Sequence, residues 1–238
     1  MNSRHTLADS HVVVVGGSSG IGLAVARAAA ESGARVTVAS RRPDRVAAEL
    51  PGASIVAVDV RDDASVEAAF GQIGALDHLV CTAAGGFPAG LFRAPAEDVR
   101  ALMESKFWGQ YRCARAAMPL LSPEGSITLT SGIRSRRPLV GLGAFTVVNT
   151  AVEGLGRALA LELAPIRVNV IAPGTIDTPV FDGLSSDARA QAHERAARYT
   201  TVGRIGLADE VAEVFLMSLT NRFLSGAVID VDGGGLLA

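Results

Sequence analysis

The run from Val12 to Gly22, VVVVGGSSGIG, constrains the fold more than any other part of the chain. Four consecutive β-branched residues predict a strand buried on both faces, and the glycines that follow end it. The next residues, LAVARAAAESG, have helical spacing. Gly16, Gly20 and Gly22 therefore lie in a tight turn between a strand and a helix, where backbone N–H groups and the helix N-terminus bind a pyrophosphate. This context favours a dinucleotide site over a purely structural turn.

Composition excludes several classes of protein. The chain has 238 residues, enough for one α/β domain, and a formal net charge of −2, which does not indicate a nucleic-acid or anionic-membrane partner. Its first residues lack the apolar core of a secretion signal, and its apolar runs are too short to span a bilayer. Cys81 and Cys113 lack metal-ligand spacing and are expected to be buried thiols. We expect a cytoplasmic protein with no metal ion.

Predicted strands and helices alternate along the whole chain. Strands are expected at residues 12–15, 34–40, 54–60, 77–86, 126–132, 166–174 and 227–234, and helices after the first strand and at 41–50, 62–74, 94–121, 143–164 and 209–219. A segment of small helices at about 178–205 is expected to be a variable lid over the substrate. This alternation predicts an α/β fold: one Rossmann-like domain over residues 1–238, with a doubly wound, seven-stranded parallel sheet flanked by helices.

Ligands of such sheets bind beyond the carboxyl ends of the strands. Glycine, small and polar residues follow most of the predicted strands, as a shared cleft requires. The candidate cofactor-binding residues at these positions are Gly16, Ser18, Ser19, Gly20, Ile21, Gly22, Ser40, Arg41, Arg42, Asp59, Val60, Thr82, Ala83, Ala84, Gly85, Pro173 and Gly174.

The end of the second strand indicates which dinucleotide is bound. A free ribose 2′-hydroxyl is usually held by a carboxylate at this point, but here the strand ends Ser40-Arg41-Arg42. A guanidinium fork suits a phosphate, so we expect the 2′-phosphorylated cofactor, NADP. The alternative is that the two arginines lie in a solvated loop. Asp59 is expected to hydrogen-bond the adenine amine, and Val60 to pack on its ring.

Five motifs occur in one order: GGSSGIG at Gly16, DV at Asp59, AAG at Ala83, LALELAPIRVNVIAPG from Leu159 and DGG at Asp232. With this set the chain resembles the short-chain dehydrogenases/reductases over nearly its whole length. The resemblance implies hydride exchange between NAD(P)H and the carbonyl or alcohol of a small-molecule substrate. It also implies a homotetramer, with a homodimer as the second choice.

The same resemblance implies roles for two residues after the sixth strand. Thr178 would bond the cofactor carboxamide, and Ile176 would contact the nicotinamide edge through its backbone. The chain departs from the family at the catalytic positions. The family has a proton-donating tyrosine and, four residues later, a lysine, but this chain has Phe145 and Asn149.

Two further catalytic positions also differ from the family pattern. The family serine aligns with Gly132, beside Ser131, and the family asparagine of the long helix aligns with Lys106. The candidate catalytic residues are therefore Ser131, Lys106, Asn149 and Phe145. Lysine and asparagine stand as if exchanged between two helices, which would keep an ammonium near the nicotinamide. The alternative is that Lys106 points into solvent.

Two functions remain open from the sequence. One is an NADP(H)-dependent oxidoreductase acting on a carbonyl, enone or imine with non-standard acid–base residues. A substrate that carries its own proton, such as an iminium ion, does not need the tyrosine, and water or Lys106 could also deliver a proton. The other is a catalytically inactive NADP(H)-binding sensor or scaffold. Both bind NADPH, but only the enzyme oxidises it.

Overall fold

The computed structural model describes residues 7–42, 44–85 and 90–238. Its strands are β1 (His11–Val15), β2 (Arg35–Ser40), β3 (Ser54–Ala57), β4 (Leu76–Cys81), β5 (Leu121–Thr130), β6 (Arg167–Pro173), β7 (Ile176–Asp177), β8 (Gly206–Leu207) and β9 (Val228–Val231). Seven of them form one parallel sheet in the order β3-β2-β1-β4-β5-β6-β9, while β7 and β8 pair separately. The strand order reverses at β1 and β4, which opens the crevice where such folds bind ligands.

Helices cover both faces of the sheet. They are α1 (Gly20–Glu31), α2 (Asp44–Ala47), α3 (Asp63–Ile73), α4 (Ala96–Met103), α5 (Gly109–Ala117), α6 (Gly143–Glu162), α7 (Ser186–Arg198) and α8 (Ala208–Thr220). A π-helical turn over Glu104–Trp108 joins α4 to α5. The predicted α/β fold, a doubly wound parallel sheet in one domain, is confirmed.

The side-chain alternation of β1 explains the two layers. Val13 and Val15 point to the core under α3, α5 and α6, while Val12 and Val14 point to the core under α1 and α8. Phe215 of α8 is completely buried in the second core. A strand buried on both faces needs the continuous run of valines from which it was predicted.

Several boundaries differ from the sequence-based expectations. β3 ends at Ala57, three residues before the predicted end, because the Asp59 backbone N–H donates to Ser65 Oγ at 2.9 Å and the chain turns away. The predicted strand at 77–86 ends at Cys81, and residues 86–89 lie outside the described part. The predicted helix at 41–50 is reduced to the four residues of α2, and Pro43 also lies outside. Strands β7 and β8 are too short for periodicity to reveal.

Three further observations concern the described residues only. Their helices include none with the length and apolarity needed to cross a membrane. They contain no group of three or more histidine, cysteine, aspartate or glutamate side chains that could hold a metal ion. Cys81 and Cys113 are buried free thiols, as predicted, and contact with Cys113 together with burial raises the pKa of Cys81.

Candidate active site

The turn between β1 and α1 depends on its glycines. Gly16 and Gly20 have φ angles of +87° and +53°, in the left-handed region that favours glycine. A Cβ on Gly22 would lie 2.4 Å from both the Gly16 carbonyl oxygen and Thr82 Oγ1, so the turn closes only without a side chain there. α1 begins at Gly20 and has no acidic residue in its first turn. Its N-terminal N–H groups therefore present partial positive charge to an anion.

This turn forms one wall of a cleft of about 480 Å³. Of the predicted cofactor-binding residues, the cleft brings together Gly16, Ser18, Ser19, Gly20, Ile21, Gly22, Ser40, Arg41, Arg42, Val60, Thr82, Ala83, Ala84 and Thr178. Lining residues that were not predicted are Val15, Ala39, Val58, Thr130, Pro179 and Val180. Most of these six are apolar and carry no motif.

Two arginines lie at the β2 end of the cleft. Arg41 and Arg42 are exposed, and neither forms an ion pair with a carboxylate of the described residues. Ser40 is buried, and its Oγ accepts a hydrogen bond from the Arg42 backbone N–H at 3.3 Å. Both guanidinium groups are therefore available to an anionic ligand in this cleft.

Asp59 is engaged by its neighbour. Arg61 donates from Nε to Asp59 Oδ1 at 3.0 Å and from Nη2 to Oδ2 at 2.6 Å. The side-chain hydrogen bonds from Arg61 lower the pKa of Asp59 to about 2. The carboxylate predicted to bind adenine is thus ionised and already bonded on both oxygens, and it is not part of the cleft lining within the described residues.

Four other predicted residues lie outside that lining, within the described part. The Gly85 carbonyl oxygen accepts a hydrogen bond from Ser105 at 2.9 Å. Pro173 ends β6, and the backbone N–H of Gly174 donates to the Val231 carbonyl oxygen at 2.9 Å. Ile176 is buried and belongs to β7. The structure thus leaves these four residues as predictions outside the cleft lining.

Lys106 lies inside the protein and not in solvent. It belongs to the π turn, is 8% exposed, and its Nζ donates to the Ser131 carbonyl oxygen at 2.8 Å. The Lys106 carbonyl oxygen accepts a hydrogen bond from Gln110 Nε2 at 2.8 Å. Burial lowers the pKa of Lys106 to about 8, and no carboxylate of the described residues pairs with it.

Asn149 and Phe145 lie on α6, facing the same region. Asn149 is 2% exposed, and its Oδ1 has no hydrogen-bond partner among the described residues. Its Nδ2 lies so close to Gly132 that a Cβ there would be 3.0 Å away. Phe145 packs against a small apolar cluster that includes Leu102 and Val148. A phenyl ring has no ionisable hydroxyl and cannot donate a proton.

Ser131 connects to a buried carboxylate that the sequence analysis missed. Its Oγ donates to Glu153 Oε1 at 3.3 Å, and Ser135 Oγ donates to the same oxygen at 2.5 Å. Arg136 Nη2 lies 3.5 Å from that oxygen and also pairs with Asp230. The sequence held one signal for this buried carboxylate: Glu153 is an acidic residue directly after Val152, on the buried face of α6.

The segment after β6 is tied down by ion pairs. Arg189 Nη2 and His193 Nε2, both on α7, lie 2.8 Å and 3.3 Å from Asp177 Oδ1. The His193 ring also packs edge-on against Phe181 with 5.7 Å between ring centroids. These contacts hold α7 against Asp177, the last residue of β7, directly before the cleft residue Thr178.

Comparison with known proteins gives the family. The model of a family described as enoyl-(acyl carrier protein) reductase matches residues 15–235. The short-chain dehydrogenase/reductase ucsE of Acremonium sp is 32% identical, with 95% of each chain covered. A small-chain dehydrogenase solved in complex with NADPH is 34% identical with a TM-score of 0.86, covering 96% of this chain and 99% of that one. MalC reductase/Diels-Alderase from Malbranchea aurantiaca is 29% identical with a TM-score of 0.90 over both full chains. The chain belongs to the short-chain dehydrogenase/reductase family.

Proposed function

We propose that this protein is an NADP(H)-dependent oxidoreductase that transfers hydride to a carbonyl, enone or imine, using acid–base residues that differ from those of its family. The observation that carries the proposal is a glycine-walled cleft combined with Phe145 at the position of the usual tyrosine. The cleft suits NADPH as the hydride donor, while Phe145 lacks the hydroxyl that is the family's usual proton donor. Relatives named as reductases and dehydrogenases favour an enzyme over a non-catalytic sensor or scaffold.

The cleft residues fit NADPH. The turn from Gly16 to Gly22 suits a pyrophosphate, because glycine at both ends lets it close tightly at the N-terminus of α1, where backbone N–H groups are exposed to an anion. Arg41 and Arg42, which form no ion pair with a described carboxylate, suit the 2′-phosphate, and a carboxylate that would favour NAD is missing from the end of β2. The similar dehydrogenase solved with NADPH supports the same cofactor.

Bound NADPH supplies the hydride, and the chain's own residues position it. We assign Ser18, Ser19 and Ile21 to the pyrophosphate turn and Ser40 to the 2′-phosphate beside the arginines. Val60 borders the adenine side of the cleft. Thr178, which lines the cleft beside Gly20, is assigned to the carboxamide. Thr82 holds the glycine turn in place, because its backbone N–H donates to the Val15 carbonyl oxygen at 2.8 Å.

The substrate range follows from the missing tyrosine hydroxyl. An imine that arrives protonated needs no proton from residue 145, so imines lead the candidate substrates. The family model's description, an enoyl reductase, supports the inclusion of enones. The similarity to MalC, which is named a reductase/Diels-Alderase, supports reduction as the direction.

Residues 178–205 are proposed as the lid over the substrate, held to the sheet by the contact between Arg189 and Asp177. A homotetramer is proposed, with a homodimer second, through the exposed faces of the long helices. Trp108 is 44% exposed there and packs edge-on against Tyr111, with 5.7 Å between ring centroids. A cytoplasmic location stays a prediction.

The experiment is an NADPH oxidation screen with matched sets of ketones, enones and cyclic imines, followed by absorbance and by product analysis. We expect turnover of at least one set by the wild-type protein and none by Gly20→Val, whose cofactor cleft is blocked. An NADPH-binding protein that oxidises NADPH with no compound of the three classes would instead be the non-catalytic alternative.

A further inference from the structure

Lysine is almost absent from this chain. Of its 22 lysine and arginine residues, 21 are arginine, and Lys106 is the only lysine. Arginine stays protonated in proteins, whereas a buried lysine can release its proton near neutral pH. Among the lysine and arginine side chains, the one that can readily release its proton therefore lies beside the site and not on the surface.

The π turn fixes Lys106 in its buried position. An extra residue in the helical turn redirects the side chains that follow it, and here the Lys106 side chain reaches the carboxyl end of β5. Its Nζ donates one hydrogen to the Ser131 carbonyl oxygen at 2.8 Å. The other two ammonium hydrogens have no partner among the described residues.

The carboxylates near Lys106 bind other side chains. Glu104, on the same turn, pairs with Arg112. Glu153, on α6, accepts hydrogen bonds from Ser131 and Ser135. Neither carboxylate compensates the ammonium, so burying it is costly unless the site uses it.

A buried acceptor lies next to the residue that Lys106 contacts. Asn149 is beside Gly132, and Gly132 directly follows Ser131. The Oδ1 of Asn149 has no partner in the described part of the chain, and neither has Thr146 Oγ1, one turn earlier on α6. Lys106 hydrogens without an acceptor and α6 side-chain oxygens without a donor thus flank the consecutive residues Ser131 and Gly132. Such a place suits a bridging water.

We propose that Lys106 and Asn149 are an exchanged pair, in which Lys106 holds the site's transferable proton and Asn149 holds the water that passes it on. This inference rests on the proposed function and deepens it, because it names the proton source that Phe145 cannot be. Lys106 acts through water and is therefore a positioning residue.

The proton balance follows directly. In the reduction of a ketone, the hydride that bound NADPH would supply adds to the carbonyl carbon and leaves NADP⁺, the C=O π electrons move to the oxygen, and the oxygen takes the proton that Lys106 releases through the water. The neutral amine then regains a proton from solvent. An N-methyl iminium salt takes the same hydride at carbon and becomes a tertiary amine, and no proton is transferred. The two substrates therefore separate proton supply from hydride transfer.

One lysine makes a direct measurement possible. Protein labelled with ¹⁵N-lysine gives a single side-chain signal, which reports the pKa of Lys106 in the free protein and with NADPH or NADP⁺ added. We expect a pKa near 8 in the free protein. With the oxidised, positively charged nicotinamide it should lie about one unit lower than with the reduced one, because the two positive charges repel. Equal pKa values in the two complexes would overturn the proposal.

Variants give the second readout. Lys106→Met should lower turnover of a ketone about 100-fold, within the usual range for general acid catalysis. It should leave turnover of the N-methyl iminium salt within about threefold, and the double change Lys106→Asn with Asn149→Lys should restore part of the ketone activity. Equal losses on both substrates would contradict the inference. If the wild-type protein reduces neither compound, the proposed function fails, while the lysine titration still decides whether Lys106 senses the nicotinamide.

Discussion

Gln110 binds both backbone polar groups of Thr130, the last residue of β5. Its Nε2 donates to the Thr130 carbonyl oxygen at 3.0 Å, and its Oε1 accepts from the Thr130 N–H at 2.8 Å. The register between β4 and β5 runs only as far as the pair Val80 and Thr128. The carboxamide therefore continues the hydrogen bonding of β5 beyond the end of its neighbouring strand, and it links β5 to the π turn.

This contact predicts the effect of Gln110→Leu. The change leaves the buried Thr130 N–H and Thr130 carbonyl oxygen without the carboxamide that binds them, and each unsatisfied group costs about 1–3 kcal/mol. Because the losses are not additive, we expect the free energy of unfolding to fall by about 3 kcal/mol. Denaturant unfolding measures it. The control Gln191→Leu, on the exposed face of α7, should change stability by less than about 0.5 kcal/mol. Equal effects of both changes would contradict this role of Gln110.

The glycine turn predicts the effect of Gly20→Val on cofactor binding. A Cβ at Gly20 would lie 3.2 Å from Thr178 Cβ, at a φ of +53° that valine rarely adopts. We expect NADPH binding, followed by cofactor fluorescence, to be lost while the circular dichroism spectrum stays that of a folded protein. The control is Gly71→Val, since a Cβ at Gly71 of α3 meets no atom within 4 Å. Undiminished binding by a folded Gly20→Val protein would give the turn another role.

The arginine after β2 predicts cofactor preference. Arg41→Ala should weaken NADPH binding by about 1.5–3 kcal/mol, the range for hydrogen bonds to charged groups. NADH lacks the 2′-phosphate, so its affinity should not change. Arg222→Ala removes the same charge far from the cleft, where Arg222 pairs with Glu124, and should alter neither affinity. Calorimetric titrations with both cofactors would test this. A wild-type protein without preference, or equal weakening for both cofactors, argues against the assignment.

The cofactor turn could be predicted because its determinants are local. Four valines specify a doubly buried strand, and glycine at Gly16 and Gly20 meets backbone angles that few other residues adopt. These requirements are written in consecutive residues. The alternation of strands and helices likewise places each strand end at one edge of the sheet, so most of the predicted residues meet in one cleft.

The rest depends on contacts between distant residues. Gln110 and Glu153 read as ordinary helix residues, because their partners lie 20 and 22 positions away on β5 and in the loop after it. The π turn, which decides where Lys106 points, has no marker in its residues. The hydrogen bond expected from Asp59 to the adenine amine stays a prediction, and nothing in the sequence indicated that Arg61, two positions later, also bonds this carboxylate.

Histidine burial predicts acid sensitivity. Burial lowers the pKa of His78 to about 4 in the folded state, whereas an unfolded histidine titrates near 6.5. The unfolded chain therefore binds the proton more tightly, and stability falls as the pH drops from 6.5 towards 4, by about 3 kcal/mol for this group. Burial lowers the pKa of His11 in the same direction.

Unfolding followed across that pH range tests this effect. His78→Asn should flatten the pH dependence of the unfolding free energy but not abolish it, since His11 remains. An unchanged slope in the variant would exclude His78 as a cause of acid sensitivity.

The buried ammonium predicts that Lys106→Met stabilises the protein. Burial lowers the pKa of Lys106 from 10.5 to about 8, so below pH 8 the folded state bears the full cost of holding the charge. That cost corresponds to about 3 kcal/mol and disappears as the pH rises from 8 to 10.5. We therefore expect Lys106→Met to raise the free energy of unfolding at pH 7 by up to about 3 kcal/mol, less the lost hydrogen bond to Ser131. The gain should vanish at alkaline pH. A residue kept for structure would show the opposite sign, so a destabilised Lys106→Met protein at pH 7 would count against a functional role for this lysine.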